Sequence, residues 1–305
     1  MIISIDHGNY AIKLSSGRSF VSGIRESDTR PPIGEDILKY KGKYYTLSEK
    51  RIPYMRTKFS DNRFYLLTLF AIGFFIEDSG CYESGMIPVQ LLCGLPPSHY
   101  GSQYERFEEY FKRVGVEEFE FRGKPFRIYV SEAISFPQAF AAAMPVYGHI
   151  NSLKKCIVID LGGFICDILA LKNGQADLSV CDSLENGVII LYNQITARVN
   201  SDFDILLDEA DVDSILKGES NNFSNDVKRI VNDTARIFIS DLFGKLRERG
   251  IDLRSGRTVF VGGGSILLRS QIEESGKVAS AIFVDKISAN AKGYEILYKA
   301  SKARG

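Results

Sequence analysis

Short apolar runs and longer helical periods alternate along the chain, and this alternation predicts strands separated by helices. Predicted strands occupy residues 2–5, 11–14, 89–93, 118–121, 126–130, 156–159, 165–171, 258–261 and 281–284. Predicted helices occupy residues 61–77, 102–114, 135–147, 186–199, 227–248 and 290–303. Residues 37–47 predict a small sheet that turns at Gly42, and residues 200–219 are interpreted only as a polar, acidic stretch. This succession is typical of an α/β fold.

One unit of the pattern occurs twice. Residues 2–14 and residues 156–171 each consist of an apolar strand, an Asp-x-Gly turn and a second apolar strand. Self-similarity of this kind indicates an internal duplication, and a chain of 305 residues is long enough for two domains of ordinary size.

The duplication predicts a domain boundary near residue 150. We expect a first domain at residues 1–150 with an insert at about 33–60. We expect a second domain at residues 151–305 with an insert at about 188–250, and a C-terminal helix that packs back on the first domain.

Composition excludes several classes of function. Thirty-eight basic residues balance thirty-eight acidic ones, so no global field draws the chain to nucleic acid or to a membrane. The five cysteines form no CxxC pair and the three histidines have no ligand spacing, which argues against a zinc site and favours reduced thiols. The N-terminus lacks the pattern of a signal peptide, so we expect a soluble, cytoplasmic protein.

The first Asp-x-Gly turn has the residues of a phosphate-binding loop. Gly8 lets backbone N–H groups approach an anion, Lys13 can supply positive charge, and Asp6 at a strand end suits the waters of a hydrated Mg²⁺. Asn9 and Tyr10 complete the turn and are candidate contacts to the same ligand. The alternative interpretation is an ordinary surface hairpin.

The second Asp-x-Gly turn also has the residues of a phosphate-binding loop. Gly162, Gly163 and Phe164 form the loop that would hold phosphate oxygens, while Asp160 and Asp167 on the flanking strands could organise the waters of a Mg²⁺ ion. An ordinary hairpin remains the alternative, but its repetition in both halves of the chain favours phosphate binding.

A third glycine segment follows the strand at residues 258–261. Its four residues allow a flat ligand or its phosphate to lie against the backbone at a helix N-terminus, and the alternative is a simple helix-entry loop. These residues are Gly262, Gly263, Gly264 and Ser265.

Taken in this order, the three loops resemble those of the actin, sugar kinase and DnaK-type chaperone superfamily, and within it most closely the ParM/StbA family of bacterial plasmid-segregation actins. Further similarity lies at residues 40–45, 51–61, 92–96 and 131–133. The resemblance implies two ribonuclease-H-like α/β domains with inserted subdomains around a nucleotide cleft. It implies binding and hydrolysis of ATP, or GTP, with Mg²⁺, coupled to assembly into dynamic filaments.

The resemblance also assigns residues and partners. It makes Asp6, Asp160 and Glu132 catalytic, with Glu132 orienting the attacking water, and it places Gly187 at the start of a helix beside the nucleotide. Asn290 and Gly293 match a structural motif in the closing helix. The implied partners are other copies of the chain and a ParR-like DNA-binding adaptor, with no direct nucleic-acid or membrane contact.

Other functions remain open alternatives. Ile165 stands where the family usually has a threonine, so hydrolysis would be slower unless another donor substitutes, and a nucleotide switch or scaffold that does not polymerise is an alternative. A small-molecule kinase of the same superfamily would need a catalytic aspartate that the sequence does not show. Arg236 is one candidate for a cation against the adenine base.

Overall fold

The computed structural model describes residues 1–32, Gly34 and residues 36–303. Ile33 and Glu35, which fall in the insert expected at 33–60, and the last two residues of the expected second domain lie outside the described residues. The chain divides into two compact units. Unit 1 comprises residues 1–145 and 287–305, and unit 2 comprises residues 146–286.

Unit 2 contains a five-stranded sheet with the order β12-β11-β10-β13-β14 among the described residues. The strands are β10 (Cys156–Leu161), β11 (Cys166–Lys172), β12 (Gln175–Leu184), β13 (Arg257–Val261) and β14 (Ser280–Phe283). β10, β13 and β14 are parallel, while β11 and β12 are antiparallel to their neighbours. β10 is buried at every position, as expected for a strand covered on both faces.

Unit 1 contains the same arrangement at one end of a larger sheet. The strands are β1 (Ile2–His7), β2 (Ala11–Leu14), β3 (Ser19–Val21), β4 (Ile24–Ser27), β5 (Ile37–Tyr40), β6 (Lys43–Leu47), β7 (Met86–Leu95), β8 (Glu117–Phe121) and β9 (Lys124–Pro137). Within the described residues their order is β3-β2-β1-β7-β9-β8-β5-β6-β4. β1, β7 and β9 are parallel, and β2 and β3 are antiparallel.

The two units therefore share one five-strand topology. Each has a hairpin, a third antiparallel strand on one side of it and two parallel strands on the other. The internal duplication predicted from the sequence is confirmed at the level of the fold, and the fold is α/β as predicted. Unit 1 differs in having four further strands, β8, β5, β6 and β4, that extend the sheet beyond β9.

Helices cover these sheets. They are α1 (Arg63–Asp78), α2 (Pro97–Lys112), α3 (Phe140–Ala143), α4 (Val188–Phe203), α5 (Glu209–Leu216), α6 (Asn225–Glu248), α7 (Gly263–Leu267), α8 (Arg269–Glu274) and α9 (Ala289–Lys302). A 3₁₀ segment, Met144–His149, follows α3. No helix in the described ranges has the length and apolar character that crossing a bilayer requires.

One sequence prediction of secondary structure is wrong, and one stretch for which none was predicted contains a helix. The helix expected at 135–147 is instead the end of β9, then α3 and the 3₁₀ segment, because residues 135–137 pair with β7 at Cys93, Gly94 and Leu95. The acidic stretch at 200–219 contains α5, which begins with a capping box between Asp208 and Asp211. Composition alone did not reveal that cap.

The core of unit 1 has two sides. On one side α1 buries twelve of its sixteen residues among the aromatic and aliphatic side chains of β1, β7 and α2. On the other side α9 packs on α3, β1 and β7, and buries Tyr294 and Tyr298 against Leu92 and Ala141. The last helix of the chain thus belongs to unit 1 and supports its central strands.

Candidate functional site

Asp6 lies at the carboxyl end of β1 and is almost fully buried. Its Oδ2 accepts a hydrogen bond from Lys13 Nζ at 3.3 Å, and its Oδ1 accepts one from Gln138 Nε2 at 2.7 Å. The contact with Lys13 follows from the hairpin, because Asp6 and Lys13 are register partners on β1 and β2. A buried carboxylate needs such partners to offset its desolvation.

The turn after Asp6 is held by side chains rather than by glycine alone. Asn9 donates to the carbonyl of Met55 at 3.2 Å and accepts from the N–H of Met55 at 3.0 Å. Ser22 donates from Oγ to the carbonyl of Gly8 at 2.6 Å, and the N–H of Ser22 donates to the carbonyl of Tyr10 at 3.0 Å. The Asn9 amide therefore anchors the turn to residue 55, with both its oxygen and its nitrogen in use.

His7 is fully buried beside Asp6. Its ring stacks on Phe111 with centroids 4.5 Å apart, and Nε2 lies 2.8 Å from Thr68 Oγ1. Burial, with a smaller contribution from the charge of Lys58, holds the pKa of His7 well below its ordinary value of 6.5. The imidazole is therefore neutral at physiological pH and acts as a core residue of the hairpin.

Glu132, assigned from the resemblance to water activation, lies in the interior of β9. Glu132 Oε2 accepts a hydrogen bond from Gln90 Nε2 at 3.4 Å. Gln90 Oε1 in turn accepts one from the hydroxyl of Tyr298 on α9 at 3.3 Å. A bulge after Val130 sets the register here, since Val89 pairs with Val130 and Gln90 pairs with Glu132. Among the described residues, the structure does not bring Glu132 into contact with Asp6.

Gln138 is the residue that sequence reasoning missed. It is buried directly after β9, so β1 and β9, which are parallel strands on either side of β7, place Asp6 and Gln138 at the same edge of the sheet. The next residue, Ala139, has a φ of 58°, and its N–H donates to Asn290 Oδ1 on α9 at 3.1 Å. The signal available in the sequence was Pro137, which ends a strand more readily than it sits inside a helix.

In unit 2 the loop Gly162–Phe164 directs its carbonyl groups to the start of α4. The N–H groups of Val188, Ile189 and Gly187 donate to the carbonyls of Gly162, Gly163 and Phe164 at 3.1, 3.0 and 3.0 Å. These bonds satisfy amides that a helix N-terminus otherwise leaves unpaired. They also fix the orientation of three successive peptide planes.

The orientation of those planes has a direct electrostatic consequence. In a trans peptide the N–H points opposite to the C=O of the same plane. Because the carbonyls of residues 162, 163 and 164 face α4, the N–H groups of Gly163, Phe164 and Ile165 point away from it. Successive N–H groups on one side of a glycine loop form a concavity that binds anions, and phosphate is the common biological case.

Gly187 and Gly262 are glycines for steric reasons at this loop. A Cβ on Gly187 would lie 2.2 Å from the carbonyl oxygen of Gly163, so no side chain fits between α4 and the loop. Gly262 has a φ of +87°, and a Cβ there would lie 2.3 Å from Asp160 Oδ1. Both positions require the backbone to approach the loop more closely than any other residue allows.

Asp160 and Asp167 are register partners on β10 and β11, and both are largely buried. Asp167 accepts a hydrogen bond from Ser183 Oγ on β12. Like charges directly opposite each other on neighbouring strands destabilise a sheet unless partners offset the repulsion. Among the described residues, no cluster of three or more His, Cys, Asp or Glu side chains could hold a metal by itself.

The third glycine segment begins α7 after β13. Gly264 packs closely, with a hypothetical Cβ 2.7 Å from side-chain atoms of Leu161 and Val188, while a Cβ on Gly263 would meet nothing within 4 Å. The hydroxyl of Ser265 is fully buried and has no hydrogen-bond partner among the described residues. The segment therefore combines one exposed glycine with one glycine required by packing.

Two cations of α6 have polar partners within unit 2. Arg236 is exposed and pairs with Asp233 at 3.1 Å and with Glu274 at 3.2 Å. Lys245 donates from Nζ to Asn186 Oδ1 at 2.5 Å, beside the start of α4. Arg236 as a contact to adenine remains a prediction that these contacts do not test.

Comparison with known proteins gives two family matches and a set of similar folds. Residues 4–140 match the family of actin-like protein N-terminal domains, and residues 158–274 match the C-terminal domain of the archaeal MreB-like actin homologues. Among curated proteins, none matches the sequence significantly.

Solved structures resemble the chain over nearly its whole length. An archaeal actin homologue, Ta0583, in complex with ADP is 17% identical with a TM-score of 0.74, covering 98% of this chain and 99% of its own. Alp7A, an actin-like protein, is 13% identical with a TM-score of 0.75, covering 100% and 98%. A ParM from a 15-stranded filament of Clostridium botulinum is 18% identical with a TM-score of 0.74, covering 98% and 99%.

At these identities the structural matches show the fold, while the two family models identify both halves of the sequence. The chain therefore belongs to the actin-like proteins and has the fold of the ParM-type members of that group.

Proposed function

We propose that the protein binds ATP, or GTP, together with Mg²⁺, assembles with other copies of itself into filaments and hydrolyses the nucleotide. The observation that carries the proposal is the pair of Asp-glycine hairpins, one in each unit, of which the second presents three successive N–H groups on one side. The ADP complex of the archaeal homologue and the filament of the Clostridium ParM support it.

The binding residues are those of the three loops. Gly162, Gly163 and Phe164 would hold phosphate oxygens through backbone N–H groups, as would Gly8 and its neighbours in the first turn. The ammonium of Lys13, already beside Asp6, would add positive charge near the phosphates that the first turn holds. Residues 262–265 would contact the nucleoside, with the open space at Gly263 leaving room for a flat ring.

Magnesium fits the carboxylates of this chain. Asp160 and Asp167 of unit 2 would hold Mg²⁺ mostly through water, with phosphate completing its coordination, and Asp6 of unit 1 offers carboxylate oxygens of the same kind. When bound, Mg²⁺ supplies positive charge that offsets the negative charge of the phosphates.

Hydrolysis requires a side chain that orients water, and the structure favours Gln138 over Glu132 for this task. The Gln138 amide already bonds Asp6 at the end of β1, where the first loop begins, whereas Glu132 bonds Gln90 inside the strand. Gln138 would act through position, as an uncharged donor and acceptor.

The remaining parts of the proposal concern cell biology. We infer two actin-like domains with inserts at about 33–60 and 188–250, a cytoplasmic location, and a role in moving plasmid or mobile-element DNA. The balanced net charge makes a ParR-like adaptor protein, rather than the chain itself, the DNA-binding partner.

Sedimentation and phosphate release test the central proposal. With ATP or GTP and Mg²⁺, the wild type should pellet, and phosphate release per molecule should rise with protein concentration. A non-hydrolysable analogue should also produce a pellet, which distinguishes a filament from a switch that does not polymerise. Phosphate release that is independent of concentration, without a pellet for either nucleotide, contradicts the proposal, and Asp160→Ala with normal nucleotide turnover contradicts the site.

A further inference from the structure

A cavity of about 250 Å³ lies in unit 2 at the amino ends of β13 and β14. Residues 251–254 and Lys277, which precede these two strands, line it together with the last turns of α6. Asp160 and Gly262 lie at the carboxyl ends of β10 and β13, so the cavity is at the opposite edge of the sheet from the second phosphate loop. The proposed nucleotide function does not use it.

The lining combines an apolar floor with a positive rim. Three buried side chains form the floor: Phe243, Ile251 and Leu253. Three cations, Arg247, Arg254 and Lys277, line the rim against a single acid, Asp252. Asp252 Oδ1 accepts the N–H of Arg254 at 3.0 Å and so stabilises the loop itself.

Arg247 and Arg254 stand apart from the other arginines of unit 2. Among those other arginines, Arg257 donates a hydrogen bond from Nε to Ser280 Oγ. The remaining five form ion pairs: Arg198, Arg229, Arg236, Arg249 and Arg269. Within the described residues, the guanidinium groups of Arg247 and Arg254 have no recorded acidic partner, and both line the same cavity. Guanidinium groups over an apolar floor suit a ligand that has both carboxylates and an apolar group.

Gly244 gives the cavity its opening on the helix side. A glycine inside a helix lowers the free energy of unfolding by about 1 kcal/mol relative to alanine. A Cβ at Gly244 would nevertheless meet nothing within 4 Å. Packing inside the unit therefore does not explain this glycine. Free space at Gly244 leaves room for a side chain that enters the cavity from outside.

The same unit carries a segment with the complementary chemistry. Residues 204–208, between α4 and α5, place the exposed carboxylates of Asp204 and Asp208 on either side of Leu206. Leu206 is 79% exposed, the most exposed large apolar side chain of unit 2. An exposed leucine flanked by two acids is complementary, in polarity and in charge, to an apolar floor flanked by two arginines.

The segment and the cavity cannot meet within one molecule. The contact between Lys245 and Asn186 places the end of α6 beside the start of α4, whereas residues 204–208 follow the end of α4. The sixteen residues of α4 span roughly 24 Å at 1.5 Å per residue. Two complementary surfaces at opposite ends of one unit can pair only between copies, in a head-to-tail contact that repeats.

We propose that the segment 204–208 of one copy docks into the cavity of the next, with Leu206 on the apolar floor and Asp204 and Asp208 paired to Arg247 and Arg254. The contact rests on the proposed self-assembly and names the surfaces that carry it. Because the ion pairs lie at the rim, added salt weakens the contact.

Charge reversal tests the pairing. The cavity variant Arg247→Glu/Arg254→Glu and the segment variant Asp204→Arg/Asp208→Arg should each raise the critical concentration for pelleting at least tenfold. Their nucleotide affinity should stay within twofold of the wild type, which shows that both fold. Mixed in equal amounts, the two variants should pellet within threefold of the wild type, since every contact is complementary again when the two variants alternate along the filament. Wild-type pelleting by each variant alone, or no recovery on mixing, overturns the proposal.

Disulfide trapping tests the contact without filaments. In a Cys81→Ser background, chains carrying Leu206→Cys are mixed with chains carrying Gly244→Cys and oxidised. A cross-linked dimer should form at least fivefold more than with the matched control Leu178→Cys, whose leucine is 77% exposed on the same unit. Equal cross-linking by the two leucine positions overturns the proposed contact. If the wild type pellets but the mixed cysteine variants form no such cross-link, the docking alone is refuted, whereas a wild type that never pellets refutes the proposed function.

Discussion

The two Asp-glycine hairpins have the same strand topology but are stabilised in different ways. In unit 1, side chains engage the turn: Lys13 and Gln138 bond Asp6, and Asn9 bonds the backbone of residue 55. In unit 2, backbone groups hold the turn, since the carbonyls of the Gly162–Phe164 loop accept hydrogen bonds from the first N–H groups of α4. A duplicated element can thus keep its topology while the interactions that hold it diverge.

From this difference we propose different tasks for the two hairpins. The unit 2 loop has its carbonyls occupied and its amides directed away from α4, which is the arrangement of an anion-binding site. The unit 1 turn instead surrounds a buried aspartate with two side-chain donors, which is the arrangement of a residue that positions other groups. The following variants separate these tasks, beginning with the largest expected effect.

Gln138→Ala should lower the rate of nucleotide hydrolysis about 100-fold. A reacting group displaced by about 1 Å, here the attacking water, slows the reaction by a factor of that order. Nucleotide affinity should change less than threefold, since the loops remain in place. Phosphate release and equilibrium binding measure the two quantities. Glu132→Gln is the matched control and should hydrolyse at near the wild-type rate; the opposite ranking would assign water positioning to Glu132.

Gly187→Ala should destabilise the protein by about 1–3 kcal/mol, the usual cost of forcing extra atoms into a packed site. The new methyl group would displace the carbonyl of Gly163, so nucleotide affinity should fall about tenfold. Urea unfolding and nucleotide titration measure both effects. Gly263→Ala should leave stability within about 1 kcal/mol, as its Cβ meets open space. Equal stability of the two variants would contradict the backbone role assigned to Gly187.

Lowering the pH should destabilise the unit 1 hairpin through His7. Burial keeps the folded-state pKa of His7 well below 6.5, so the unfolded chain binds the extra proton first as the pH falls below about 6.5. The free energy of unfolding then decreases by up to about 1.4 kcal/mol per pH unit until the folded-state pKa is reached. Urea unfolding at pH 7 and pH 5 should show a smaller loss for His7→Phe than for the wild type; identical losses would refute the assignment.

Ile165→Thr should have the smallest effect. Position 165 is partly exposed, so the change removes little buried apolar surface, and the new hydroxyl lies at the end of the unit 2 loop. We expect hydrolysis to increase by about threefold, which corresponds to less than 1 kcal/mol. Single-turnover phosphate release measures it, with Ile165→Val as the control that adds no hydroxyl. An equal rate for threonine and valine would show that the missing hydroxyl is not limiting.

Much of the fold could be predicted because buried positions recur with a regular period along most strands and helices. Strands β1, β2, β10, β11 and β13 and helices α1, α4, α6 and α9 were predicted within a few residues, since each has a clear apolar period. The short strands β3 and β4 were missed, because three or four residues with mixed exposure have no usable period.

The candidate site was less predictable because it depends on pairing between distant residues. The Ala-rich segment after residue 135 has helical propensity, but pairing with β7 extends β9 to Pro137 and places Gln138 beside Asp6. The bulge after Val130 decides which face of β9 carries Glu132. Pro137 is a local signal of the extension, but the bulge leaves none in the residues next to it.

By itself, the sequence determined the α/β class, the duplicated Asp-glycine hairpin and the candidate loops, because periodicity and glycine turns are local properties of the chain. Only the tertiary structure decided that Gln138 bonds Asp6, that the unit 2 loop turns its amides away from α4, and that two arginines with no acidic partner among the described residues share one cavity. These are relations between residues far apart in the chain, and they are set by strand register and helix packing, which no short stretch of sequence contains.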